Sequence, residues 1–153
     1  MSFNLSTSYF MSQAIIEAKI AFEKDEVPVG AIIVKNNIII ARAHNQNISD
    51  NDPTAHAEIL AIRLAASIIK SSRLDDCDLY VTLEPCPMCA FGISLSRIKR
   101  IYYAASDEKF GGVENGPRIF NSSSCHHKPE IYSNISFQLE AEDLMKNFFK
   151  QKR

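Results

Sequence analysis

The chain has 153 residues, a formal net charge of −1 and a sequence pI near 6.4. With 46% hydrophobic and 23% charged residues it reads as one globular domain, long enough to bury most of a core, and disorder or a fibrous repeat is excluded. No apolar run reaches the ~20 residues of a membrane span, Met1-Ser2-Phe3-Asn4 lacks a basic-then-apolar leader, and four cysteines make no disulfide framework, so a cytoplasmic protein without a membrane partner is expected.

A helix is predicted from residue 6 or 8 through about 22–24, with Phe10, Ala14, Ile15, Ala18, Ile20 and Ala21 on its apolar face. Residues 28–34 and 38–42 are β-rich runs around Lys35-Asn36-Asn37, a hairpin connection. Asp52-Pro53-Thr54 announces a second helix over about 54–69, capped by Asp52 or Thr54. A short buried strand over 79–82, a helix from 86 to about 95 and a strand over 100–104 come next. A loop with Gly111, Gly112, Gly116 and Pro117 leads to a short helical turn near 118–120, a strand near 130–132 and a closing helix over 138–150. This order implies an α/β fold, a three-layer α/β/α sandwich around a mixed, roughly five-stranded sheet. Its first pair is antiparallel because the connection is short, and the strands joined through helices are parallel.

Chemistry concentrates in two segments, Pro53-Thr54-Ala55-His56-Ala57-Glu58 and Glu84-Pro85-Cys86-Pro87-Met88-Cys89. One imidazole and two thiolates fill three corners of a tetrahedron around Zn²⁺ and leave the fourth open for water. Cys86 and Cys89, three apart, share a helix face, and a thiol at a helix N-terminus loses its proton more easily. His56 and Glu58, two apart, point to opposite sides of a regular helix. That conflict disappears if the metal sits off the helix's N-terminal end, so two helices are expected to aim their N-termini at one zinc. A redox Cys-x-x-Cys pair and a structural zinc completed by Cys77 or by Cys125-His126-His127 are the competing readings. Neither needs the carboxylate of Glu58, and His-x-Glu followed by Pro-Cys-x-x-Cys is the pattern of the zinc nucleobase deaminases.

The wider sequence resembles the cytidine deaminase-like superfamily and, within it, the bacterial tRNA-specific adenosine deaminases. The resemblance rests on Glu26-Val27-Pro28-Val29-Gly30-Ala31, Asn45, the segment 52–58, Tyr80-Val81-Thr82-Leu83-Glu84-Pro85-Cys86, Ser96-Arg97-Ile98 and Phe148-Phe149, and it covers the chain from about Tyr9 onward. It implies deamination of the wobble adenosine of an arginine tRNA to inosine by a homodimer with one zinc per subunit. Under it, His56, Cys86 and Cys89 are zinc ligands and Glu58 is the proton shuttle for a zinc-activated water attacking adenine C6. Asn45 hydrogen-bonds the flipped base, Pro28 and Val29 form an apolar wall, and the Glu84 backbone carbonyl accepts from the substrate amine. Asp107 lies near the nucleotide preceding the target. Phe148, Phe149, Lys150, Lys152 and Arg153 belong to a C-terminal helix that contacts the anticodon loop.

Each of these residues also has an ordinary structural reading. Asn45 suits a turn, Val29 a core, Asp107 a solvated loop and Phe148-Phe149 a helix packing face. The C-terminal cations suit the end of a helix dipole. The net charge does not announce a nucleic-acid binder, and a deaminase of a free base or nucleoside is the enzymatic rival. A zinc module that binds RNA or a partner without catalysis is the rival from another class, and the retained Glu58 argues against it. Cys125-His126-His127 receives no role from the resemblance; packing is the expectation, with a second metal site as the alternative.

Overall fold

The computed structural model describes residues 6–152. Its elements are α1 (Thr7–Glu23), β1 (Gly30–Lys35), β2 (Ile38–His44), α2 (Ala57–Ile69), β3 (Cys77–Leu83), α3 (Pro87–Ser96), β4 (Arg100–Ala105), a 3₁₀ turn (Ile119–Asn121), β5 (Glu130–Ser133) and α4 (Gln138–Gln151). The five strands form one sheet in the order β2-β1-β3-β4-β5. β1 is antiparallel to both neighbours, whereas β3, β4 and β5 run parallel. β2 and β3, joined through α2, therefore share a direction although β1 lies between them.

Period-two alternation sorts the strand side chains into two layers. Ala31, Ile33, Leu79, Val81, Ile101 and Tyr103 face α2 and α3. Ile32, Val34, Tyr80 and Ala104 face α1 and α4, where Phe10, Met11, Ala14, Ile15 and Ala141 complete the core. The sandwich thus has the mixed, five-stranded sheet expected from element order. Two alanine-lined contacts bring helices unusually near the sheet. Ala57, Ala61 and Ala65 repeat every fourth residue on α2 and are fully buried. On the other face α1 lies so close to β1 that a Cβ at Gly30 would meet the Ala14 carbonyl oxygen at 2.1 Å.

The local signals are readable one by one. Ser6 caps α1, its hydroxyl accepting the Tyr9 N–H at 3.1 Å. Asn36 and Asn37 turn the β1–β2 hairpin with φ of 51° and 63°, the left-handed pair that a two-residue hairpin demands. One boundary differs from expectation. The second helix begins at Ala57, with His56 as its N-cap residue, rather than near Thr54. Asp52 does not cap it. Its Oδ1 accepts the Thr54 N–H at 2.9 Å and the Thr54 hydroxyl at 2.7 Å, a local turn that competes with helix formation. No helix among the described residues is long and apolar enough to cross a membrane.

Candidate active site

The N-terminal ends of α2 and α3 meet beyond the C-terminal end of β3. His56 is the N-cap residue of α2 and Cys86 that of α3, both in extended conformation, with Cys89 inside the first turn of α3. The extended backbone at His56 frees its ring from the helix surface, so His56 and Glu58 converge despite their two-residue spacing. His56 Nδ1 lies 3.5 Å from Cys86 Sγ and 3.5 Å from Cys89 Sγ. Among the described residues this is the one group of three such side chains able to hold a metal ion. The spacing fits the donor set. Zn–S near 2.3 Å and Zn–N near 2.1 Å at tetrahedral angles put N and S about 3.6 Å apart.

His56, Cys86, Cys89 and Glu58 stand close enough to set one another's protonation. Hydrogen bonds from Cys89 and from His56 hold the Cys86 thiol down at about 4 against its burial. The bond to Cys86 and burial push Cys89 far up, so the two thiols share one proton between them. The bond to Cys86 also raises His56. Glu58, on the first turn of α2, is buried, and that burial pushes its carboxyl up to about 7. A carboxyl poised there can both take and give a proton at neutral pH.

The triad opens into a pocket of about 950 Å³. Asn45 lies on its wall at the end of β2, where its Oδ1 accepts the Ala57 N–H at 2.8 Å. That bond supplies the cap that the N-cap residue His56 does not make, so Asn45 fixes the start of the metal-site helix. Val29 lines the pocket, but the second apolar residue beside it is Val27 and not Pro28, which is buried elsewhere. The reason is geometric. In extended chain alternate residues share a side, and the Val29 N–H to Val27 carbonyl bond of 2.8 Å places Pro28 at the apex of a tight turn.

The carboxylate of Glu84 holds the loop 106–116. Its Oε1 accepts the Asp107 N–H at 3.1 Å and the Asn115 Nδ2–H at 2.7 Å. Oε2 accepts the N–H groups of Val113, Glu114 and Asn115 at 3.0–3.1 Å. Burial pushes this carboxyl up, but the bonds from Asp107 and Asn115 outweigh it and hold the group below the usual carboxylate range. Two glycines complete the fit. A Cβ at Gly111 would lie 2.5 Å from Glu84 Oε2, and one at Gly112 would lie 2.5 Å from the Pro87 nitrogen. The Gly112 N–H donates to the Pro85 carbonyl at 2.8 Å, so the loop rests directly on the Pro85-Cys86-Pro87 peptide. Glu84→Gln places two N–H donors among these donors. Urea unfolding should show a loss of about 2–4 kcal/mol at pH 7. Because the folded-state pKa is depressed, this stabilisation is present above the ordinary carboxylate value and is lost as pH falls through the folded one. The gap between parent and variant should therefore close in acid.

Asp107 and the closing helix line the opposite side. Asp107 Oδ1 accepts the N–H groups of Lys109 and Phe110, at 3.1 and 2.9 Å, which shapes the rim of the loop. From α4 the pocket receives Glu142, Met145, Lys146 and Phe149, and just beyond the helix Lys152. The spacing of three, four and seven residues is one helical stripe, a periodic signal that separates these residues from their neighbours. Phe148 falls off that stripe and is not brought to the pocket. It is buried with its ring 6.2 Å from that of Phe22, and Lys152 lies over it. Lys150 is exposed but does not line the pocket, Lys152 is paired with Asp25, and Arg153 lies outside the described residues. Pocket residues that sequence reasoning did not single out include Val27, Glu142, Met145 and the rim residues Lys109 and Phe110. Among the described residues Cys125, His126 and His127 belong to no group of three side chains able to hold a metal ion. The Ser94 hydroxyl donates to the His127 carbonyl at 2.7 Å and lies 3.1 Å from Cys125 Sγ, while His127 Nε2 meets the Ile98 carbonyl at 2.7 Å. The segment is thereby fastened to the end of α3.

Comparison with known proteins places this geometry. Residues 5–153 match the profile of the MafB19-like deaminases. A tRNA-specific adenosine deaminase from Rickettsia bellii is 52% identical over 145 residues, 94% of this chain and 99% of that one. One from Agrobacterium fabrum is 48% identical over 146 residues, 95% of each chain. A structure solved in work on A-to-I editing by tRNA:A34 deaminases at the wobble position of transfer RNA superposes with a TM-score of 0.87 at 48% identity, covering 89% of this chain and 98% of that one. Likeness of this extent in sequence and fold makes this chain a member of the MafB19-like deaminase family, among its tRNA-specific adenosine deaminases.

Proposed function

We propose that the protein hydrolytically deaminates adenosine to inosine at the wobble position of a tRNA anticodon, in an arginine tRNA, as a cytoplasmic zinc enzyme. The observation that carries the reading is a buried carboxylate beside a His-Cys-Cys triad on the floor of a pocket whose walls carry lysines and an exposed phenylalanine. His56, Cys86 and Cys89 would hold zinc, which supplies a water acidified to a pKa of about 7. Glu58 takes a proton from the attacking water as the C6–O bond forms. It delivers that proton to the purine ring nitrogen, then takes the remaining proton from the new C6 hydroxyl and gives it to the amine, which leaves as ammonia as the C6–N bond breaks and the C6 carbonyl forms. Asn45 aligns the start of α2 and presents its amide to the base. Val27 and Val29 flank the purine with apolar surface. The loop carrying Asp107 meets the nucleotides beside the target, where a carboxylate can accept from a ribose 2′-OH.

The same reading accounts for the outer surface of α2 and α3. Leu64, Ile68, Met88 and Leu95 are exposed there, and a homodimer with one zinc per subunit would cover them. The free-base rival needs no phosphate contacts, whereas an enzyme gripping an anticodon loop must neutralise several. Inosine formation in an anticodon stem-loop should therefore be robust, with little ammonia released from free adenine, guanine or cytosine. The apparent affinity for the stem-loop should fall steeply with salt. Lys146→Gln and Lys152→Gln, on the pocket, should each flatten the log–log salt slope by about 0.7, and Lys150→Gln should leave it unchanged. A protein that deaminates a free base but forms no inosine in RNA has a different substrate.

A further inference from the structure

Phe110 is 65% exposed on the rim of the pocket, which Phe149, 49% exposed, also lines. An apolar ring held in water is unfavourable, and a slack loop would fold it inward. This loop is not slack. The Phe110 N–H is donated to Asp107, the Gly111 N–H goes to the Asp107 carbonyl at 2.9 Å, and the Asp107 N–H goes to the buried Glu84 carboxylate. Gly111 has no room for a Cβ, so the backbone beneath Phe110 is fixed on both sides. Lys109 places its ammonium 5.3 Å from the centre of the same ring. The ring therefore stands out rigidly beside a cation, at the mouth of a site whose floor carries the reacting groups.

We propose that Phe110 is a stacking platform for the nucleobase adjacent to the target adenosine, with Lys109 meeting the phosphate between them. This rests on the reading of the substrate as an RNA loop. Drawing an adenosine out to reach a buried triad separates it from its neighbours, whose faces lose a stacking partner. An aromatic ring at the pocket mouth replaces that partner, and every base offers a π-face. The cation beside the ring matches the charge that necessarily accompanies such a base. Because the ring is already held outward, the stack forms without ordering the loop.

The test uses the full-length zinc protein and an anticodon stem-loop with adenosine at the wobble position. 2-Aminopurine is placed on its 5′ or its 3′ side. Parent protein should change the fluorescence of one of the two labels on binding. Phe110→Ala should abolish that change and raise KM about tenfold or more, while lowering the saturating rate far less. Phe110→Trp should restore both, which a merely structural role would not produce. The inference is overturned if KM in Phe110→Ala stays within twofold of the parent or if neither label responds. It is equally overturned if sedimentation shows Phe110→Ala as a monomer where the parent is a dimer, since the ring then belongs to a second copy of the chain. A parent protein that forms no inosine in the stem-loop brings down the underlying reading as well, whereas normal parent turnover with an indifferent Phe110→Ala brings down this inference alone.

Discussion

Glu58→Ala should retain its metal and its fold and lose deamination by about 10²–10⁴-fold or more. The carboxylate stands alone in the proton path. It is buried on the first turn of α2 beside the His-Cys-Cys triad; of the other pocket acids, Glu84 and Asp107 are committed to backbone N–H groups of the loop 106–116, Glu108 is exposed on that loop, and Glu142 comes from α4. One group therefore handles every transfer between the attacking water, the purine ring and the departing amine, and its loss is not shared out. The side chain makes no salt bridge among the described residues, so its removal leaves no buried cation unpaired. Glu58→Gln, nearly the same in volume, should fail equally. Single-turnover inosine formation reads the rate, and metal analysis of the same samples reads the site. A variant within tenfold of the parent would assign the shuttle to another group.

Replacing His56, Cys86 or Cys89 by alanine should remove both metal and activity. Metal analysis of the parent should find about one zinc per chain. Both thiols must be deprotonated to bind it, although the pair keeps one proton when left to itself, so metal uptake should release protons and weaken as pH falls. A metal present at a thousandfold its Kd stabilises the fold by about 4 kcal/mol, and chelation should then lower Tm by about 10 °C. The effect should be concentrated where α2 and α3 begin, because both helices take their N-cap residues from the ligand set. Stoichiometric zinc surviving in the Cys86→Ala, Cys89→Ala double variant would falsify the assignment.

The elements were legible wherever a strong local signal acts alone. Ser6 at the start of α1 and the Asn36-Asn37 turn report their own conformations. That His56, Cys86 and Cys89 come together was legible because metal coordination restricts residue type and spacing together. What sequence did not yield were contacts between distant segments. Nothing local indicates that Asn45 caps a helix twelve residues on, or that the Glu84 side chain is consumed by the loop 106–116. The start of α2 was misplaced for the same reason, since Asp52 satisfies a turn while the cap arrives from another strand. Phe148 and Phe149 are chemically identical neighbours. Only the 100° between successive helix positions, set against the direction in which α4 packs, sends one into the core and leaves the other on the pocket.

The way the loop 106–116 is fastened also determines how this site can be altered without being broken. Its fixed points are Gly111 and the backbone N–H groups held against the Glu84 carboxylate, and Gly112, which packs on the Cys86-Pro87 peptide. Ser106, Glu108, Lys109 and Phe110 project outward between those points and bear no weight in the scaffold. Selection or engineering can rewrite that short stretch, and with it the sequence context an enzyme accepts, while the reacting groups below stay in register. A library confined to these four positions should yield mostly folded, metallated proteins that differ in substrate. One centred on Glu84, Gly111 or Gly112 should yield mostly proteins that fail to assemble the site at all.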